Sequence, residues 1–177
     1  MTDRFVLDPQ RSRVRVRTFA KGLFAVLAHD LELDAAPTGA LVHDGGVSRA
    51  TLEIRADAIH VVGVVRRGRV HTDVLSAKDV QEIERKLRDE VFSPSTALSI
   101  VATGTRDAPQ VTFEMTPPGR GTTPGALVVE VRAGEVLEVR AKGTVSMRAL
   151  GLPVVRAPLN AFVVEDELAI DAVLVFA

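Results

Sequence analysis

Apolar and polar side chains alternate one by one along most of this chain. Arg13-Val14-Arg15-Val16-Arg17 sets the pattern. Leu52-Glu53-Ile54-Arg55-Ala56, Val111-Thr112-Phe113-Glu114-Met115, Val129-Glu130-Val131-Arg132 and Leu137-Glu138-Val139-Arg140-Ala141-Lys142 repeat it. A period of two gives each segment one apolar and one solvated face, as in the half-buried strands of an antiparallel sheet. Strands are predicted over 5–7, 13–19, 29–35, 40–42, 50–56, 98–103, 111–114, 127–132, 136–142, part of 154–164, and 168–176. Turn residues fall between them at Asp44-Gly45-Gly46, Ala108-Pro109, Pro117-Pro118-Gly119 and Ala133-Gly134, with a tight hairpin over 131–136.

One stretch breaks the alternation. Over 76–92, Val80, Ile83, Leu87 and Val91 recur at helical spacing, with Lys78, Glu82, Arg85, Lys86 and Asp89 on the opposite side. Ser76 with Asp79 reads as an N-terminal capping box, and Ser93-Pro94 as the stop. The apolar stripe of a single helix in a β-rich chain needs a sheet to cover, at an open end or along an edge. A second, short helical turn is expected over 21–27. No repeat or long linker divides the sequence, so residues 1–177 are read as one domain. The expected fold is mainly β: an antiparallel, lipocalin-like β-barrel or closed sandwich of about eight strands with one amphipathic helix. Val14, Val16, Leu31, Leu33, Leu52, Ile54, Phe113, Val129, Val131, Leu137 and Val139 are expected to point inward. Alternation leaves open whether that interior is filled by side chains or hollow.

Composition narrows the function. The absence of cysteine excludes disulfides, a thiol nucleophile and zinc-thiolate sites. With 22 basic and 23 acidic residues the net charge is −1, so no broad positive field steers the chain toward nucleic acid. Tryptophan and tyrosine are absent, which removes the usual stacking anchors of nucleotide and sugar sites. A lining of Val, Leu, Ile and Phe is left, and it suits aliphatic matter. No apolar run reaches the ~18 residues of a bilayer span, so stable membrane insertion is not expected. Met1-Thr2-Asp3-Arg4-Phe5 enters a strand directly rather than building a signal peptide, and a cytoplasmic location is expected.

Three local patterns resemble the YceI-like family. Phe5-Val6-Leu7-Asp8-Pro9 followed by Ser12-Arg13-Val14-Arg15-Val16 is similar to the family's opening: an aromatic-led strand, Asp-Pro, and a second strand starting at serine. Gly143-Thr144-Val145-Ser146-Met147-Arg148 through Pro153-Val154 resembles its late hairpin, with Arg148 and Ala149 standing where the family usually has histidine and glycine. Lys21-Gly22-Leu23 with Ala28-His29-Asp30-Leu31-Glu32-Leu33 resembles a branch with a Gly-Leu turn and a His-Asp-Leu strand start. The resemblance implies a lipocalin-like barrel that binds polyisoprenoids or other amphiphilic lipids without catalysis or a cofactor.

Few residues carry chemistry. Strand parity places His29 on the same face as Leu31, Leu33 and Ala35, so it is expected to look inward. There it serves either as a polar group at the wall of an apolar cavity or as a histidine satisfied by a backbone carbonyl beside the preceding turn. The His29-Asp30 pair does not suit a catalytic metal: neighbours on a strand face opposite ways, and His43, His60 and His71 lack ligand spacing. Arg66-Arg67-Gly68-Arg69 with His71 is the strongest positive run. It reads either as a clamp for a diphosphate or carboxylate head at a barrel mouth, or as a solvated basic loop. Gly119-Arg120-Gly121-Thr122-Thr123-Pro124 begins like a dinucleotide fingerprint but lacks the final glycine and the following helix, and reads as a hairpin loop. No nucleophile elbow, phosphate loop or H-E-x-x-H motif is present. The expected site is therefore an apolar lining of Val14, Val16, Leu31, Leu33, Leu52, Ile54, Phe113, Val129 and Leu137, with His29, Arg66 and Arg67 as polar contacts for an isoprenoid-like small molecule. The second reading is a structural or interaction module with a filled core, homodimeric through an exposed strand edge.

Overall fold

Alternating segments become strands wherever the backbone is described. The computed structural model describes residues 2–21, 29–92, 97–105, 110–116, 123–149, 152–153, 155–156 and 163–177, with backbone alone at 110–113, 115–116 and 123–126. The strands are β1 (Asp3–Val6), β2 (Arg13–Thr18), β3 (Ala20–Lys21), β4 (Asp30–Ala35), β5 (Thr38–Asp44), β6 (Val47–Arg55), β7 (Ile59–Arg66), β8 (Arg69–His71), β9 (Ala97–Thr105), β10 (Gln110–Thr116), β11 (Thr123–Ala133), β12 (Leu137–Ser146), β13 (Val163–Val164) and β14 (Glu167–Phe176). One α-helix, α1 (Ala77–Lys86), lies between β8 and β9. The short turn expected over 21–27, most of the strand expected over 154–164 and the 119–124 loop fall largely outside the described residues.

Twelve strands form one sheet in the order β1-β5-β6-β9-β10-β11-β12-β14-β2-β4-β7-β8, and every pairing in it is antiparallel. This exceeds the eight or so strands expected from sequence, because long staves bend and are broken. β1 and β2 are separated at 7–12, β4 and β5 at Ala36-Pro37, and β6 and β7 by a 3-10 turn at Ala56–Ala58. The ladder does not run round as a continuous cylinder. Its first strand meets β14 over one short stretch, where Leu7 bridges Phe176 and Val6 and Ala177 exchange hydrogen bonds of 2.8 and 2.9 Å. From the same edge of β14 the second branch, β2-β4-β7-β8, diverges.

Ser76 caps α1 as its sequence predicts: its Oγ accepts from the Asp79 N–H at 3.2 Å, and Asp79 Oδ2 accepts from the Ser76 N–H at 3.0 Å. The regular helix is shorter than expected. After Lys86 the chain continues as a π-helical turn, Leu87–Val91, in which the Phe92 N–H donates to the Leu87 carbonyl at 3.0 Å and Val91 and Phe92 are buried. Glu84 Oε1 accepts from the Val61 N–H at 3.1 Å, so the helix satisfies a backbone donor of β7 and covers a sheet edge as anticipated.

The Arg66-Arg67-Gly68-Arg69 run is a tight hairpin turn joining β7 to β8, with Arg66 paired to Arg69 and positive φ at Arg67 (50°) and Gly68 (78°). Just before it, Gly63 has no room for a Cβ, which would collide with the His71 carbonyl oxygen. The outer faces carry Arg13, Arg15 and Arg17 on β2 and Asp30, Glu32 and Asp34 on β4, the reverse of a barrel wall that faces lipid. No helix among the described residues is long and apolar enough to cross a membrane.

Candidate functional site: the barrel cavity

Inward side chains of the strands leave a cavity of about 960 Å³, at the upper end of the roughly 300–1,000 Å³ range of small-molecule sites. Its walls come from β2 (Val14, Val16), β4 (Leu31, Leu33), β6 (Leu52, Ile54), β9 (Leu98, Ile100), β11 (Val129, Val131), β12 (Leu137, Val139) and β14 (Ile170, Leu174). Ile83, Leu87 and Val91 close the side where α1 and its π-turn lie. The reason the interior is not plugged lies in its small residues. In the ladders Ala50 stands opposite Ala102, and Ala141 opposite Ala172, and all four line the cavity. Methyl groups side by side on neighbouring strands leave the space in front of that stretch of wall unfilled.

The predicted site residues divide into three groups. Val14, Val16, Leu31, Leu33, Leu52, Ile54, Val129, Leu137 and His29 all line the cavity. Phe113 sits on β10 opposite Ala102, but its side chain is outside the described set. Arg66 and Arg67 are exposed and are not part of the lining. The β4–β7 register pairs Asp30 with Val65, so their turn stands beside the end of the barrel that holds His29.

Polar groups gather at two opposite ends. At one, half-buried His29 and Thr18 line the cavity with Phe19 and Met147. The carbonyl-satisfied alternative for His29 involves the 22–28 segment, outside the described residues. Asp166 organises the wall there. Its Oδ2 accepts from Ser146 Oγ at 2.7 Å, its Oδ1 from the Arg148 N–H at 2.9 Å, and its carbonyl from the Met147 N–H at 2.8 Å. The Ser146 hydroxyl, then the Arg148 backbone, hold the Asp166 carboxyl below its ordinary range. A folded-state pKa below the unfolded one stabilises the fold above the unfolded value and ceases to do so as pH falls through the folded value. Asp166→Asn is therefore expected to lower urea stability at neutral pH, with the gap to wild type closing below about pH 4. A pH-independent gap in chemical denaturation would refute this account of the carboxylate.

At the other end, Asp3, His43 and Ser48 line the cavity in one cross-strand row, continued by Gly104. His43 Nδ1 and Ser48 Oγ are hydrogen-bonded at 3.1 Å. This row was not singled out in the sequence. The signal that finds it is the Asp44-Gly45-Gly46 turn, which folds His43 back onto Ser48. No group of three or more histidine, aspartate or glutamate side chains among the described residues is arranged to hold a metal ion.

No family model matches the sequence, and no curated protein matches it. Solved structures do match in fold. The crystal structure of BcnA from Burkholderia cenocepacia is similar to this chain with a TM-score of 0.63 at 12% sequence identity, covering 96% of this chain and 98% of BcnA. The likeness extends over both chains nearly end to end, and it is a likeness of fold.

Proposed function

We propose that the chain binds or carries an apolar amphiphile, an isoprenoid-like lipid, with its tail inside the barrel. The observation that carries this reading is the hollow itself: a cavity of about 960 Å³ walled mainly by apolar side chains from the strands and the helix. A packed interior, which the module reading requires, is not what the alanine pairs build. The resemblance to the YceI-like family drawn from the sequence supports the same ligand class.

Each five-carbon prenyl unit withdrawn from water contributes roughly 4 kcal/mol gross, at ~0.8 kcal/mol per carbon, less the cost of ordering the tail. Affinity is thus expected to rise with tail length until the cavity is full, then level off. Arg66 and Arg67 are kept outside the tail site on this reading, since an anionic head would reach them only from beyond the rim. A homologous series of prenols, titrated by displacement of a fluorescent apolar dye, tests the proposal. Length-independent affinity, or no displacement by any member, would defeat it.

A further inference from the structure

Beyond the tail, the row Asp3–His43–Ser48 specifies a head group. We propose that the Asp3 end of the cavity is a recognition site for a neutral hydroxyl head, so that the preferred ligand is a long-chain alcohol whose oxygen sits against His43 and Ser48. This inference rests on the carrier reading and deepens it.

The three side chains come from adjacent strands β1, β5 and β6 and all line the cavity. Their hydrogen-bonding capacities fit one chemistry. The 3.1 Å contact between His43 Nδ1 and Ser48 Oγ uses one ring nitrogen, and Nε2 makes no hydrogen bond within the described residues. If Ser48 donates to Nδ1, Nε2 carries a proton and donates; if Nδ1 donates to Ser48, Nε2 accepts. A hydroxyl does both and so matches either tautomer. Ionised Asp3 only accepts, and a ligand O–H supplies what it lacks. A carbonyl head would set its oxygen toward that carboxylate with no proton between them.

Charge narrows the class further. Asp3 lines the cavity beside His43 and disfavours a phosphate or carboxylate there, while Asp44, Arg4 and Arg49 are exposed outside the lining and offset one another. The cationic lining residues lie elsewhere: Lys86 on α1, and Arg156, which bridges Val163 in the strand paired with β3, at the His29 end. The row also lies where the cavity reaches solvent, because Asp3, Thr105, Val131 and Ala133 all line it while exposed. A head there stays hydrated on one side while its tail runs inward. Between Leu168 and Phe176, β14 provides up to about 27 Å of wall for it.

The test compares farnesol, farnesyl diphosphate, farnesylamine and the hydrocarbon of the same skeleton on the full chain, by dye displacement. Farnesol is expected to bind about tenfold more tightly than the hydrocarbon, the scale of one good hydrogen bond. Ser48→Ala and His43→Phe are expected to erase that advantage, the ratio of farnesol to hydrocarbon affinity measured on the same variant falling to about one. Ser48→Thr, which keeps the hydroxyl, is expected to retain it. Equal binding of alcohol and hydrocarbon overturns the head site and leaves the carrier reading standing. Preference for the diphosphate places the head at the basic end, and preference for the amine makes Asp3 a plain counter-ion; either result overturns the proposal. Failure of all four probes to bind removes the carrier reading and this inference with it.

Discussion

If the chain carries a lipid tail as proposed, phenylalanine in place of Ala102 is expected to weaken tail binding while the chain still folds. Ala102 stands on β9 opposite Ala50, and both line the cavity. A ring added at that position projects into the cavity that Ala102 lines. Overpacking a filled core costs about 1–3 kcal/mol, and entering a void costs less. Affinity for a long-tailed probe should fall by at least about tenfold, the loss expected when a few methylenes no longer fit, while the thermal midpoint stays near that of wild type. Dye displacement read beside a thermal melt checks both halves. Unchanged affinity in a folded Ala102→Phe chain would mean that the tail lies outside the barrel.

Glu32→Ala is expected to give the largest loss of stability of any single change on the outer face. Glu32 is 1% exposed although it belongs to the solvated face of β4. Its Oε2 accepts from Arg17 Nε at 2.8 Å, and its Oε1 lies 3.6 Å from Arg15 Nε, too far for a hydrogen bond. The Arg15 Nε atom is buried and has no hydrogen-bond partner among the described residues, so removing the carboxylate takes the ion pair from Arg17 and leaves Arg15 only Asp34 and Asp171, across the ladders, as acidic neighbours. Breaking a fully buried pair costs about 3–5 kcal/mol. Here both arginine side chains are 40% exposed and can turn toward water, so about 2–3 kcal/mol is expected. Urea denaturation measures it, and Glu32→Gln, which keeps the shape and one acceptor, should recover part of the loss. A change within about 0.5 kcal/mol, ordinary for a surface site, would show that the pairing contributes little.

What the sequence made legible follows from the range of the forces involved. Period-two alternation is local, and it correctly picked Val14, Val16, Leu31, Leu33, Leu52, Ile54, Val129, Val131, Leu137 and Val139 as inward. The capping box at Ser76 and Asp79 is local too, and it holds. Hollowness is not local. It arises because Ala141 meets Ala172, and Ala50 meets Ala102, through pairings between distant segments, and alternation reports direction without depth. Parity likewise turns Glu32 outward without reporting that the neighbouring arginines cover it and that Gly63, across the ladder, lies against the His71 backbone. For the Arg66-Arg67-Gly68-Arg69 run, which reads as a head-group clamp or a solvated basic loop, glycine and charge mark a turn without giving its length. In the structure it is a two-residue turn with Arg67 in a left-handed conformation.

The two branches of the sheet converge on β14, a strand that comes late in the sequence. β14 follows β1, β2 and β12 in chain order, yet it bonds to all three. While it is still in the ribosome, β2 and β12 expose bare edges, and the aliphatic linings behind them stay open to water. Refolding should be slow compared with helical domains of equal size, because contacts such as Leu7 with Phe176 and β2 with β14 join segments far apart in the sequence.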